Sequence, residues 1–190
     1  MKDFTFFNPT RIEFGADKEQ QIGQHLAEHS IRKVLLCFGS ERIKRNGLFA
    51  VVSQRLAENG IEWVELGGII SNPVISKVRE GIALAKQHQV DAILSVGGGS
   101  VLDSAKAIAA GVCYTGDVWE LFEGMASVDA ALPLFAIMTL AATGSEMNAS
   151  AVVTNEETRQ KFFIASPALF PKVSIVNPAL MRSVSRDYLV

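Results

Sequence analysis

The sequence predicts an α/β fold, a doubly wound and mostly parallel sheet preceded by a small N-terminal β-hairpin. Two observations carry this expectation. Apolar runs without polar alternation, as in strands covered on both faces, alternate with segments of helical periodicity. One junction, Asp91 to Ala110 (DAILSVGGGSVLDSAKAIAA), passes from a buried strand into a helix through three consecutive glycines.

In chain order, Phe4 to Phe7 and Arg11 to Phe14 are short aromatic-rich runs around Asn8-Pro9-Thr10, which predicts the antiparallel hairpin. Ile22, Leu26 and Ala27 give Lys18 to His29 helical spacing, and Lys33 to Phe38 (KVLLCF) is the first buried strand, ending at Gly39-Ser40. Leu48 to Asn59 is a helix with Gly60 behind its C-terminal end, followed by a strand at Ile61 to Leu66. Asn72-Pro73 opens a helix over Val74 to His88, which feeds the glycine junction. Beyond it come a short helical excursion at Asp117 to Phe122 and a strand at Leu132 to Met138. A small, hydroxyl-rich loop then runs from Thr139 to Glu146. Ala151 to Thr154 and Lys161 to Ile164 flank a turn-like Asn155 to Thr158 and predict a hairpin, and Lys172 to Val176 is the last strand, before Asn177-Pro178. In a doubly wound sheet ligands lie beyond the carboxyl ends of the strands. The loops at Gly39, Asn72, Gly97, Thr139 and Asn177 should therefore converge on one crevice.

The glycine junction suits an anion. Gly97, Gly98 and Gly99 permit unusual backbone angles and close approach of a ligand, and Ser100 with Asp103 three residues on resembles a capping box opening the helix. Free N–H groups and the positive end of the helix dipole attract phosphate. The bland alternative is a tight turn that binds nothing, at the expense of three glycines' chain entropy.

The 190 residues are 48% hydrophobic and 20% charged with a net charge of −2, enough for one sizeable core and too hydrophobic for disorder. The balance leaves no electrostatic footprint for nucleic acid or an anionic membrane. Cys37 and Cys113 form no CxxC or disulfide framework, and the first 15 residues fit neither a signal peptide nor a membrane span, so a cytoplasmic protein is expected.

The stretches FFNPTRIEFG, IKRNGL (Ile43 to Leu48), SNP (Ser71 to Pro73), GGGSVLDSAKAIA from Gly97, TLAATGSE from Thr139 and KVSIVNPAL from Lys172 resemble, in that order, the iron-containing (group III) alcohol dehydrogenase family, and more closely its butanol-dehydrogenase-like branch. The GGGSxxDxAK pattern is shared with glycerol dehydrogenase and dehydroquinate synthase relatives, so the fold implied is Rossmann-like, of the dehydroquinate synthase-like kind. It departs from GxGxxG, whose third glycine would fall on Leu102. The resemblance implies hydride transfer between NADP (or NAD) and a primary alcohol or aldehyde. It implies a dinucleotide-binding domain over residues 1–182 and a helical metal-binding domain beginning at 183–190, with iron or zinc expected only in a full-length enzyme; a homo-oligomer is expected because lack of that second domain would uncover an apolar face near Leu180 to Val190.

Carried over by position, Gly97, Gly98, Gly99 and Ser100 would hold the pyrophosphate, with Asp103 at the motif's acidic position. Asn72 would lie by the adenosine ribose or phosphate, Thr139, Leu140 and Thr143 along the crevice, and Lys161 and Leu180 near the ribose and adenine. Leu140 replaces the second threonine of the family's usual pair. Gly39 and Ser40 stand where an acid would accept a ribose hydroxyl and repel a 2′-phosphate, which favours NADP, while Glu41 keeps NAD open. The family's metal is held by an Asp and three His beyond the last strand, a region outside this chain. His25 and His29 could share a helix face, but a solvated face accounts for them better than a metal site lacking a third ligand. Chain alone, the protein is expected to lack turnover. The competing expectations are a glycerol dehydrogenase or dehydroquinate synthase-like domain and a non-catalytic nucleotide-binding module.

Overall fold

The computed structural model describes residues 3, 5 and 7–182. Strands β1 (Arg11–Phe14), β2 (Lys33–Phe38), β3 (Glu62–Leu66), β4 (Ala92–Gly97) and β5 (Leu134–Met138) join β8 (Val173–Val176) in one sheet. Its order is β1-β8-β5-β4-β2-β3, with every neighbouring pair parallel. The remaining strands, β6 (Ser150–Asn155) and β7 (Gln160–Ala165), form the separate antiparallel hairpin that the sequence predicted.

All six residues of β4 and all five of β5 are buried, which is why neither run alternates in polarity. Along β2, Val34, Leu36 and Phe38 pack on one face and Leu35 and Cys37 on the other, following the two-residue period of a strand. The first face is covered by α1 (Ile22–Glu28) and α3 (Leu48–Glu58), through Ile22, Leu26, Val52 and Leu56. The second is covered by α4 (Ile75–His88) and α5 (Gly99–Cys113), through Val78, Ala85, Ala105 and Ile108. Each such Leu or Ile, fully buried, contributes roughly 1.5–3 kcal/mol. Gly81 lets α4 lie close on α5: a Cβ there would come within 2.7 Å of Leu66 Cδ2 and closer still to Ile108.

Helix α3 ends as its sequence predicted. Gly60, at φ +67, donates to Ala57 O and Ile61 donates to Leu56 O, the paired bonds of a glycine-terminated helix. At the other end of the sheet's long loops, Asp91 Oδ2 accepts from the amides of Arg32 and Lys33, both at 2.9 Å, tying the start of β2 to that of β4.

The winding locates the crevice. The chain passes from β2 to β3 on one side and then returns across β2 to lay down β4 on the other. Helices leaving β2 and β4 therefore run to opposite faces, and their carboxyl ends part at a topological switch point, where open α/β sheets receive ligands.

Three expectations are corrected. Arg11–Phe14 does not form an antiparallel hairpin with Asp3, Thr5 or Phe7, which are not in strands; it pairs in parallel with β8 as the sheet's edge. Its partner lies some 160 residues away, beyond the reach of local pattern; Phe4 and Phe6, like 183–190, are outside the described residues. Ser100 is not the cap of α5. The first turn closes on Gly98, whose carbonyl accepts from Val101 at 3.0 Å and Leu102 at 3.2 Å. Lastly, none of Gly97, Gly98 and Gly99 has a positive φ. Their requirement is space: a Cβ on Gly97 would lie 2.5 Å from Val101 Cγ2, one on Gly98 3.2 Å from Leu140 Cβ, and one on Gly99 on top of Thr143 Oγ1.

Candidate functional site at the switch point

A glycine cap has a chemical consequence. A Ser or Asp cap would fold its side-chain oxygen over the first amides of the helix, whereas Gly98 has none, so the amides of Gly99 and Ser100 and the dipole of the 15-residue α5 stay open to the crevice. Gly98 is extended, at φ −88 and ψ −172, and lines the same space beside Leu140.

Two adjoining pockets occupy that space. The first, of ≈ 480 Å³, is lined by Gly39 and Ser40 after β2, by Gly97, Gly98, Gly99 and Ser100 after β4, by Thr139 and Leu140 after β5, and by Leu180 after β8. The second, of ≈ 310 Å³, is lined by Asn72, Asp103, Thr143 and Lys161 and shares Gly99 and Ser100 with the first. Every residue that the resemblance assigned to the cofactor thus lines one of the two. Their grouping differs from expectation: Lys161 and Leu180 lie in different pockets, on either side of the α5 terminus. Asn177 does not reach the crevice. It is buried, donating from Nδ2 to Glu19 Oε2 at 2.8 Å and accepting from Ala179 N, and so fixes the turn that presents Leu180.

The second pocket is bounded by long-range polar contacts. Lys161 Nζ donates to Asn72 Oδ1 at 2.9 Å, joining β7 to the loop after β3. Asn72 stands at φ 55, a left-handed conformation that asparagine tolerates better than most residues. Its neighbours are held too: Thr154 donates to Pro73 O at 2.8 Å, and Ile75 N to Glu156 Oε2 at 3.1 Å. Asp103 does not cap α5. Its Oδ1 accepts from Ser145 Oγ at 2.7 Å and its Oδ2 from Val152 N at 3.2 Å. Burial pushes the Asp103 carboxyl up from its ordinary range, opposed by those two hydrogen bonds and by the charges of Lys106 and Lys161.

Several lining residues were given no site role by the sequence, although Ile43, Asn46, Ser71 and Ser145 fall within the stretches that carry the family resemblance. Ile69, Ile70 and Ser71 lie in a stretch without periodicity, and Arg42, Ile43 and Asn46 belong to the short α2 (Arg42–Arg45) and its end. Ser145, Asn148 and Ser150 line the second pocket and share one buried ammonium, that of Lys106. A lysine inside an otherwise apolar or small stretch of helix was the available hint.

The donors fit a dinucleotide: open amides and hydroxyls for a diphosphate, and apolar walls at Ile69 and Leu180 for a base. A metal does not fit. Among the described residues no three His, Cys, Asp or Glu side chains converge as ligands. His25 is 3% exposed with both ring nitrogens unpartnered, while a ring nitrogen of His29 is engaged with His25 O at 2.8 Å.

The fold and the placement of the crevice define the class, a doubly wound α/β domain whose open helix terminus faces its switch point. The sequence model of the iron-containing alcohol dehydrogenase family matches residues 9–178, and the chain belongs to that family. It is 44% identical over 178 residues to the probable NADH-dependent butanol dehydrogenase 2 of Bacillus subtilis (strain 168), covering 94% of this chain and 45% of that protein. To the NADPH-dependent aldehyde reductase of Escherichia coli (strain K12) it is 32% identical over 181 residues, 94% of this chain and 46% of that protein. The crystal structure of NADH-dependent butanol dehydrogenase A from Thermotoga maritima matches with a TM-score of 0.95 at 47% identity, over 99% of this chain and 47% of that one. The chain therefore spans about half the length of these relatives.

Proposed function

We propose that this chain is the cofactor-binding portion, over residues 1–182, of an NAD(P)-dependent dehydrogenase that interconverts primary alcohols and aldehydes. The observation that carries this is the α5 terminus, capped by Gly98 and open at the β2/β4 switch point. The first pocket takes the adenosine and pyrophosphate, with Gly98, Gly99 and Ser100 at the phosphates and Leu180 at the base. Asn72, Thr143 and Lys161 hold the other half in the second pocket. When bound, the nicotinamide carries the hydride. The residues here bind and orient it, and the small hydroxyls of Ser100 and Thr143 satisfy polar groups that water would otherwise hold.

In the family's name the iron, or a zinc in its place, belongs to residues other than those described here, since these offer no ligand set. We therefore expect this chain alone to bind cofactor without turning over butanol or another primary alcohol in the presence of added iron or zinc. Turnover by the 190 residues would overturn that. No nucleic acid or membrane partner is inferred: charge is balanced at −2, and no helix among the described residues is long and apolar enough to cross a membrane. A cytoplasmic setting suits the two free cysteines, Cys37 and Cys113, and a homo-oligomer suits the exposed Phe14 and Phe163.

For the cofactor we infer that NADPH binds at least as well as NADH. No carboxylate lines the first pocket, and Gly39, Ser40 and Arg42 admit a 2′-phosphate that an acid would repel. The relatives' names divide between NADH and NADPH. Fluorescence titration with both reduced cofactors tests this: comparable or tighter NADPH binding is expected, and a tenfold preference for NADH, about 1.4 kcal/mol, would contradict it.

A further inference from the structure

Lys106 is fully buried, at 0% exposure, in a stretch of α5 otherwise made of apolar and small residues. An ammonium in such a place is costly unless its donors are met. Five oxygens surround its Nζ: Ser145 O at 2.8 Å and Oγ at 3.0 Å, Asn148 O and Oδ1 both at 2.9 Å, and Ser150 O at 3.0 Å. None belongs to α5; all belong to the segment that runs from the end of β5 into β6. Burial pushes the Lys106 ammonium down to about 8, against the charges of Asp103 and Glu146, so at neutral pH it is still charged. Five acceptors also favour that form, because a neutral amine would turn a lone pair toward one of them.

One turn earlier on the same helix face, Asp103 accepts from Ser145 Oγ and from Val152 N. The Ser145 hydroxyl thus accepts from Lys106 and donates to Asp103, so an opposite pair on α5 grips one segment at two points. That segment supplies Thr143, Ser145, Asn148, Ser150 and Val152 to the second pocket, while none of Lys106's partners lines the first.

We propose that Lys106 is the positioning residue of the second pocket. It touches no ligand itself; by holding Ser145, Asn148 and Ser150 it sets the wall against which the non-adenylate half of the dinucleotide lies. This rests on the dinucleotide reading above and predicts something that reading alone does not, a loss confined to one half of the ligand.

The test is to titrate the full 190-residue chain and its Lys106→Met variant with ADP, which needs only the first pocket, and with NADPH, which needs both. NADPH affinity should fall at least tenfold while ADP affinity changes less than twofold. Equal loss of both, or loss of neither, overturns the proposal. If Lys106→Met gives no cooperative melt, Ser145→Ala carries the test, since it removes only the shared hydroxyl; a roughly threefold loss for NADPH without loss for ADP is expected, and no difference overturns it. If the unaltered chain binds neither ligand, the dinucleotide reading has failed on its own, and hydrogen exchange then decides the positioning. Faster exchange at amides 145–152 in Lys106→Met, with β4 unchanged, supports it; unchanged exchange there overturns it.

Discussion

Lys161 and Asn72, 89 residues apart in sequence, meet across the mouth of the second pocket, Nζ to Oδ1 at 2.9 Å. Both are exposed, so the contact itself adds little to stability, within about 0.5 kcal/mol. Lys161→Met should leave the urea midpoint almost unmoved and raise the NADPH dissociation constant about tenfold, or about 1.4 kcal/mol. A shifted midpoint with unchanged binding would make Lys161 a strut only.

Gly99 and Thr143 are packed so that the hydroxyl of one fills the place of a side chain on the other. Gly99→Ala should cost about 1–3 kcal/mol in denaturant unfolding, as overpacking does. Adding Thr143→Ala should restore part of that, because Thr143 Oγ1 and Cγ2 are the nearest clashing atoms and its Cβ remains at 3.2 Å. Strict additivity of the two would show that the contact is not the cause.

Gly60 provides a contrast. At φ +67 with open space around it, Gly60→Ala should cost about 1 kcal/mol through backbone strain alone. Cofactor affinity should stay as it was, since Gly60 lines neither pocket. A change in affinity would mean that the α3 terminus communicates with the crevice.

His25 sets an acid limit. Its ring is buried, and the carboxylates of Glu13 and Glu28, at 3.9 and 3.7 Å, are too far for hydrogen bonds. Burial, and then the Arg11 charge, hold its pKa below the ordinary 6.5 despite those carboxylates. The folded state thus binds its proton more weakly than the unfolded chain, and stability present above pH 6.5 is lost as pH falls through the folded pKa. Glu13, also held low, chiefly by Lys18, adds a second loss that starts below about pH 4.5. His25→Phe should flatten the first decline in a series of urea melts and leave the second; an unchanged first decline would point to another group.

Much of this architecture could be read from local pattern, because strands such as β2, β4 and β5 are buried on both faces and declare it by lacking polar alternation. The Gly60 stop and the β6/β7 hairpin were equally plain, each being set by residues next to one another. What escaped was set at a distance. Arg11–Phe14 has a partner only in Val173–Val176, and Lys106 acquires its acceptors about 40 residues further on. The cap of α5 differs for another reason: Ser100 has the favoured side chain, but Gly97 packs closely on Val101 and Gly99 on Thr143, and the helix begins two residues earlier, on Gly98. Local preference yielded there to a site that needs its amides uncovered.

The most direct measurement is dinucleotide titration of Gly98→Asp. The extended backbone at Gly98 suits an aspartate cap, with Leu140 yielding a few tenths of an ångström, so the carboxylate would cover the α5 amides and the fold should persist. The account predicts an unchanged or slightly raised melting temperature together with a loss of at least a hundredfold, about 2.7 kcal/mol, in NADPH and ADP affinity alike. Undiminished affinity in a folded Gly98→Asp chain would contradict it.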